Sequence, residues 1–97
     1  MSRKVTTNYQ SLDGILTRAY NRACYGKGLE RHADNKPFEE QDIVSEGDTF
    51  GIHGHLFQIR KKAKEILRLD TPEAQQNELL DIIVYAAGAV IILDKEE

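Results

Sequence analysis

The stretch from residue 79 to residue 93 constrains this chain more than any other part of its sequence. Its 15 residues are apolar or small, except for Asp81 and the weakly acidic Tyr85. As a helix it would be about 22 Å long, which is shorter than the roughly 30 Å hydrocarbon core of a bilayer. A helix this apolar needs several neighbours to cover it, so we predict an all-α helical bundle that assembles as a homo-oligomer.

The chain has 97 residues, which is a length typical of one domain, and we assign residues 1–97 to a single helical domain. No basic stretch followed by an apolar one opens the sequence, so we do not expect secretion. The single cysteine, Cys24, excludes an internal disulfide and is typical of a reducing compartment. We therefore expect a cytoplasmic protein with no membrane partner.

Helical periodicity recurs along the chain, and we predict three helices, over residues 8–25, 49–69 and 72–94. In the first, apolar or small residues recur along one face, at Leu12, Ile15, Leu16, Ala19, Tyr20 and Ala23. In the second, apolar residues follow the spacing of a coiled coil, at Ile52, Leu56, Ile59, Ala63 and Ile66. The third begins clearly, because Thr71 is a good N-cap and Pro72 suits the first helical position.

Residues 26–47 connect the first two predicted helices without helical or alternating periodicity. Most connections run about 4 to 6 residues, and longer ones are usually functional or disordered. Apolar side chains at Leu29, Phe38, Ile43 and Val44 give this segment something to bury. We therefore expect an ordered loop packed on the helices, with disorder as the alternative.

Charge is segregated along the chain, although the formal net charge is only −3. Residues 1–36 carry seven Lys and Arg against three acids, whereas residues 37–58 carry five acids and no Lys or Arg. A mildly acidic protein with a basic first third is not expected to bind duplex nucleic acid. This distribution does suit a small anionic ligand.

The basic first third contains the residues best suited to such a ligand. Lys27 lies between two glycines, where the backbone can approach a ligand closely. Arg31 can hold phosphate oxygens through two parallel hydrogen bonds, and His32 can donate to an anion. We predict a site for a phosphorylated, nucleotide-like molecule built from Arg22, Tyr25, Lys27, Arg31, His32, Lys36 and Phe38. The alternative is that Arg31 pairs with Glu39 or Glu40 and only holds the loop.

Glu78 and Asp81 place two carboxylates three residues apart on the third predicted helix. Residues 78–85, Glu-Leu-Leu-Asp-Ile-Ile-Val-Tyr, resemble the second half of the signature of MazG-like nucleoside triphosphate pyrophosphatases. That resemblance implies an all-helical, oligomeric, intracellular enzyme that binds magnesium through an ExxE pair on one helix and an ExxD pair on the next. It implies Glu78 and Asp81 as metal ligands. Where the family carries its first pair, this chain has Lys62, Lys64 and Glu65.

Residues 26–41, GKGLERHADNKPFEEQ, resemble a segment of small phage-encoded proteins of unassigned activity. Phages use helical oligomers of similar size to sequester nucleotide messengers of host defence. We therefore expect a non-catalytic phage counter-defence protein that sequesters a phosphorylated, nucleotide-like molecule. One alternative is a magnesium-dependent nucleoside triphosphate pyrophosphohydrolase. Another is a protein-interaction module that inhibits a host factor through an acidic face formed by Glu39, Glu40, Asp42 and Glu46.

Overall fold

The computed structural model describes residues 6–25, 37–45 and 47–95. The all-α prediction is confirmed, because these residues form helices and turns with no strand among them. Two short 3-10 turns occupy Thr7–Tyr9 and Phe38–Glu40. The α-helices are α1 (Gln10–Tyr25), α2 (Asp42–Ser45), α3 (Gly47–Phe50), α4 (His53–Ile66) and α5 (Pro72–Lys95).

The two helices α4 and α5 form an antiparallel hairpin. Near their connection, the side-chain amide of Gln75 donates a hydrogen bond to the carbonyl of Ile66, at 3.3 Å. At the far end of the hairpin, Gly88 lies against the ring of His55. Thr71 caps α5 as predicted, since its hydroxyl oxygen accepts a hydrogen bond from a backbone amide of the first turn, at 3.1 Å.

The first helix, α1, packs on α5 in the parallel direction, because Arg18 contacts Gln76 and Arg22 contacts Asp81. Of the apolar face predicted for this helix, only Ala19 is buried. The prediction of a buried face is therefore wrong for the single chain. The side chains most exposed along it are those of Leu12, at 53%, and Tyr20, at 64%.

The second predicted helix, 49–69, is broken and shortened in the structure. Gly51 has a φ angle of 62°, a left-handed conformation that interrupts helical hydrogen bonding and that residues with a Cβ rarely adopt. A turn at Gly51 and Ile52 therefore separates α3 from α4. The helix α4 ends at Ile66. After it, the backbone amides of Arg68 and Leu69 donate hydrogen bonds to carbonyls three residues back, instead of four residues back as in an α-helix.

The last third of the predicted loop 26–47 is helical, since α2 and the start of α3 fall within it. Ile43 and Val44 are buried and pack with Ile92 of α5, and Phe38 packs against them. This part of the segment packs on the helices as expected. The remaining part, residues 26–36 and 46, lies outside the described residues.

By length and composition alone, α5 is able to cross a membrane. It has 24 residues, and an 18-residue window within it has a mean hydropathy of 1.5. The helix α5 is thus longer than the apolar run of residues 79–93, which by itself is shorter than the core of a bilayer. In the fold, 22% of that window is buried. A core helix of a water-soluble protein meets the same criterion, so the absence of a membrane partner stays a prediction.

A buried histidine joins the packed segment to the hairpin. Among the described residues, His55 is the buried polar side chain, with no exposed surface. Its Nε2 donates to the carbonyl of Ile43 at 2.6 Å, while its Nδ1 has no hydrogen-bond partner among the residues described. A Cβ placed on Gly88 would lie 3.2 Å from the same ring. The imidazole is therefore held between α2 and α5.

We expect Gly88→Ala to lower the free energy of unfolding by about 1 to 2 kcal/mol, because the fixed ring of His55 cannot move away from the added methyl group. The overpacking exceeds the gain in helix propensity, which is about 1 kcal/mol at most. The matched control is Gly14→Ala in α1, where no atom lies within 4 Å of the added Cβ. That control should raise the free energy of unfolding. Denaturant titration followed by circular dichroism measures both, and equal changes would contradict the contact.

Candidate functional site

Four charged side chains from three helices meet beside the first half of α5. Asp81 accepts two hydrogen bonds from the guanidinium of Arg22, from Nε to Oδ1 at 2.7 Å and from Nη2 to Oδ2 at 3.3 Å. On the other side, the Nζ of Lys62 lies 3.3 Å from Oε2 of Glu78 and 3.6 Å from Oδ2 of Asp81. We call Arg22, Lys62, Glu78 and Asp81 the charge cluster.

The spacing of the two acids explains why they share one site. Residues three apart on a helix project from the same face, so Glu78 and Asp81 both point toward the neighbouring helices. Arg22 reaches them from the last turn of α1, and Lys62 reaches them from the last half of α4.

Lys62 lies on the side of α4 that faces α5, a position that the sequence did not predict. A basic run such as residues 60–64 usually faces solvent, and the apolar residues from Ile52 to Ile66 are the expected packing seam. In the structure, Leu56 of that seam is 50% exposed, whereas His55 and Lys62 face α5. The sequence holds one signal for this face, because a second set of residues on α4 has the helical spacing 4, 3, 4. These residues are His55, Ile59, Lys62 and Ile66.

Partial burial strengthens the interactions within the charge cluster. The exposed fraction of the side chain is 12% for Lys62, 17% for Arg22, 21% for Asp81 and 23% for Glu78. Because water screens such charges less than it screens surface charges, their attraction is stronger. The hydrogen bonds that Arg22 donates to Asp81 raise the pKa of the Arg22 guanidinium, and partial burial opposes this only in part. A raised pKa keeps the cation charged, so its stabilising effect is lost only as the pH rises to strongly alkaline values.

A small polar cavity lies beside the charge cluster, between α4 and α5. Its volume is about 240 Å³. The Nζ of Lys62 lies 5.8 Å from the centroid of the Tyr85 ring, within the range of a cation–π interaction. Ligand pockets of roughly 300 to 1,000 Å³ are typical, so this cavity fits a small polar group rather than a whole nucleotide. The residues that line it are Gln58, Lys61, Lys62, Glu65, Glu78 and Tyr85.

The structure describes three of the seven predicted ligand-binding residues. Arg22 binds Asp81 instead of projecting freely, and Tyr25 ends α1 with 75% of its side chain exposed. Phe38 is half-buried against Ile43 and its neighbours. The other four predicted residues, Lys27, Arg31, His32 and Lys36, lie outside the described residues, so their role in a ligand site stays a prediction.

The two predicted magnesium ligands come together, but each is already paired with a cation. Glu78 and Asp81 both contact the ammonium of Lys62, and Asp81 also binds Arg22. In the part of the chain that the structure describes, no three His, Cys, Asp or Glu side chains group closely enough to hold a metal ion. This donor set therefore does not fit the magnesium site that the MazG-like resemblance implies.

The chain matches no protein-family profile, no curated protein and no solved structure. The resemblances to MazG-like enzymes and to phage proteins stand on the residues quoted for them.

We expect Asp81→Asn to lower the free energy of unfolding by about 1.5 to 3 kcal/mol, because it removes a charged hydrogen-bond acceptor and leaves Arg22 without its partner. The matched control is Asp94→Asn, the same chemical change at an exposed residue near the end of α5. Such surface changes usually stay within about 0.5 kcal/mol. Denaturant titration distinguishes the two variants. If both lost the same small amount, the charge cluster would contribute nothing to holding α1.

Proposed function

We propose that this protein binds and sequesters a phosphorylated, nucleotide-like small molecule without reacting with it. The observation that supports this proposal is that described residues on both sides of the basic segment 26–36 are attached to α5. Before the segment, Arg22 is bound to Asp81, and after it, the carbonyl of Ile43 lies against Gly88. These two positions on α5 are seven residues apart, which corresponds to about 10 Å along a helix.

Attachment of the residues on both sides of the segment favours ligand binding by the residues within it. A segment whose flanking residues are attached loses less conformational freedom on binding a ligand than a free chain does. In this proposal, Lys27, Arg31 and Lys36 bind the phosphates as charged hydrogen-bond donors. His32 is a further donor to the anion. In this proposal Arg22 does not bind the phosphates, because its guanidinium is bound to Asp81 and so holds the end of α1 that precedes the segment.

An aromatic residue at the start of the segment suits the base of a nucleotide. Tyr25 is the last residue of α1, and its side chain is 75% exposed. Stacking of a base on an aromatic side chain typically contributes about 1 to 3 kcal/mol. Phe38, which follows the segment, keeps part of its side chain exposed while it packs on the core. We assign the base to Tyr25, with Phe38 as the second candidate.

Assembly as a homo-oligomer is part of the proposal. Several large apolar side chains are half or more exposed in the single chain, including Leu12 on α1 and Leu79 and Val90 on α5. Large exposed apolar surfaces are typical of subunit interfaces. The counter-defence role, in which the protein removes a nucleotide signal from the cytoplasm, is proposed from the resemblance of residues 26–41 to phage proteins.

The two alternative functions have less support. Magnesium-dependent hydrolysis of a nucleoside triphosphate would use Glu78 and Asp81, and both are paired with cations. Inhibition of a host factor through an acidic face is supported only by the exposure of Glu39 and Glu40. Glu46 of that face lies outside the described residues.

Calorimetric titration of the purified protein with nucleotides, cyclic nucleotides and inorganic phosphate tests the proposal. We expect at least one phosphorylated nucleotide to bind, and the matching nucleoside to bind far more weakly. Lys27→Ala or Arg31→Ala should weaken binding by roughly 10- to 150-fold, which corresponds to the loss of one charged hydrogen bond. Arg60→Ala is the control, because it removes the same charge from an exposed position on α4.

Analysis of the bound molecule separates sequestration from catalysis. After incubation with magnesium, mass spectrometry should recover the nucleotide intact. Release of pyrophosphate that is lost in Asp81→Asn would favour the enzymatic alternative instead. If no phosphorylated compound bound to the wild-type protein, the proposed function would be wrong.

A further inference from the structure

Lys62 brings a positive charge to the point where the two carboxylates of α5 converge. Its Nζ lies 3.3 Å from Glu78 and 3.6 Å from Asp81, and only 12% of its side chain is exposed. The ring of Tyr85, 5.8 Å away, is a further attractive partner. We infer that this ammonium is a built-in counter-ion that replaces a divalent cation, so that the α4–α5 hairpin keeps its carboxylates together without metal.

Two carboxylates one turn apart on a partly buried helix face need a cation, since each repels the other and both have lost part of their water. A magnesium ion would meet this need with oxygen ligands at about 2.0 to 2.1 Å. An ammonium meets it with three hydrogen-bond donors at longer range. The separations of 3.3 and 3.6 Å fit the second solution. Asp81 is also held from its other side by Arg22.

The charge balance of the cluster leads to the same conclusion. Arg22 and Lys62 offset Glu78 and Asp81, so the cluster as a whole is neutral and gives a free metal ion no net attraction. Without the charge of Lys62, the cluster would carry one negative charge beside a polar cavity of about 240 Å³. Magnesium often binds through one or two carboxylates while it keeps several waters. The identity of residue 62 therefore decides whether a metal ion is needed here.

This inference concerns the folded protein alone, so its test does not depend on the proposed ligand. Thermal unfolding of the full chain is measured in a chelator and then in Mg²⁺ or Mn²⁺, without nucleotide. We expect the Tm of the wild-type protein to be the same in all three. Lys62→Ala should lower the Tm in the chelator by roughly 5 to 15 °C, and either metal ion should restore most of that loss. Lys62→Arg keeps the positive charge and should unfold independently of metal.

The matched control is Lys64→Ala, which removes the same charge from an exposed position on α4 that does not line the cavity. It should change the Tm little and should not respond to metal. If Lys62→Ala does not fold in the chelator, recovery of its helical circular dichroism on addition of Mn²⁺ would support the inference, and no recovery would contradict it. A wild-type Tm that rises with Mg²⁺ or falls with the chelator would overturn it, as would equal metal responses of the two alanine variants.

Discussion

The pairing of two carboxylates on α5 with cations from two other helices is the interaction on which the arrangement of this protein depends. Arg22 attaches α1 through two charged hydrogen bonds, and Lys62 closes the hairpin from the opposite side. Apolar burial contributes little to the attachment of α1, since Ala19 is its buried residue. An ion pair that is partly buried and makes two hydrogen bonds fixes the relative position of two helices better than a surface pair does. This explains how α1 stays packed on α5 although its apolar face is exposed.

A second attachment completes the scaffold on the same helix. Ile43 and Val44 pack with Ile92, and the imidazole of His55 joins α2 to the hairpin. Polar contacts thus hold the end of α1 that precedes the basic segment 26–36, and a small apolar core holds the residues that follow it. The proposed ligand site combines this rigid frame with cations carried by the segment between the two attachments. The same frame gives the acids of α5 a structural use, since each is paired with a cation from another helix.

Local signals in the sequence predicted much of the fold. Periodicity located the three long helices, and Thr71 was identified as the cap of α5. The predicted bounds 49–69 did not include the break at Gly51, because glycine tolerates a left-handed conformation but does not require one. Lys62 was missed because a lysine on a helix usually faces water, and only the tertiary fold brings it to Glu78. For the candidate site, the sequence named the acids but not the cations that neutralise them.

The unequal attachment of α1 and α4 has a consequence for motion. α4 is joined to α5 by the short connection 67–71 and by the contact of His55 with Gly88, whereas α1 is held mainly by one pair of charges. Local opening begins where few apolar contacts must be broken, so α1 is expected to detach at lower free energy than the α4–α5 hairpin. Its detachment would release the attachment that precedes the segment 26–36. In the proposed function, this opening would be a route of release for the sequestered molecule that leaves the hairpin folded.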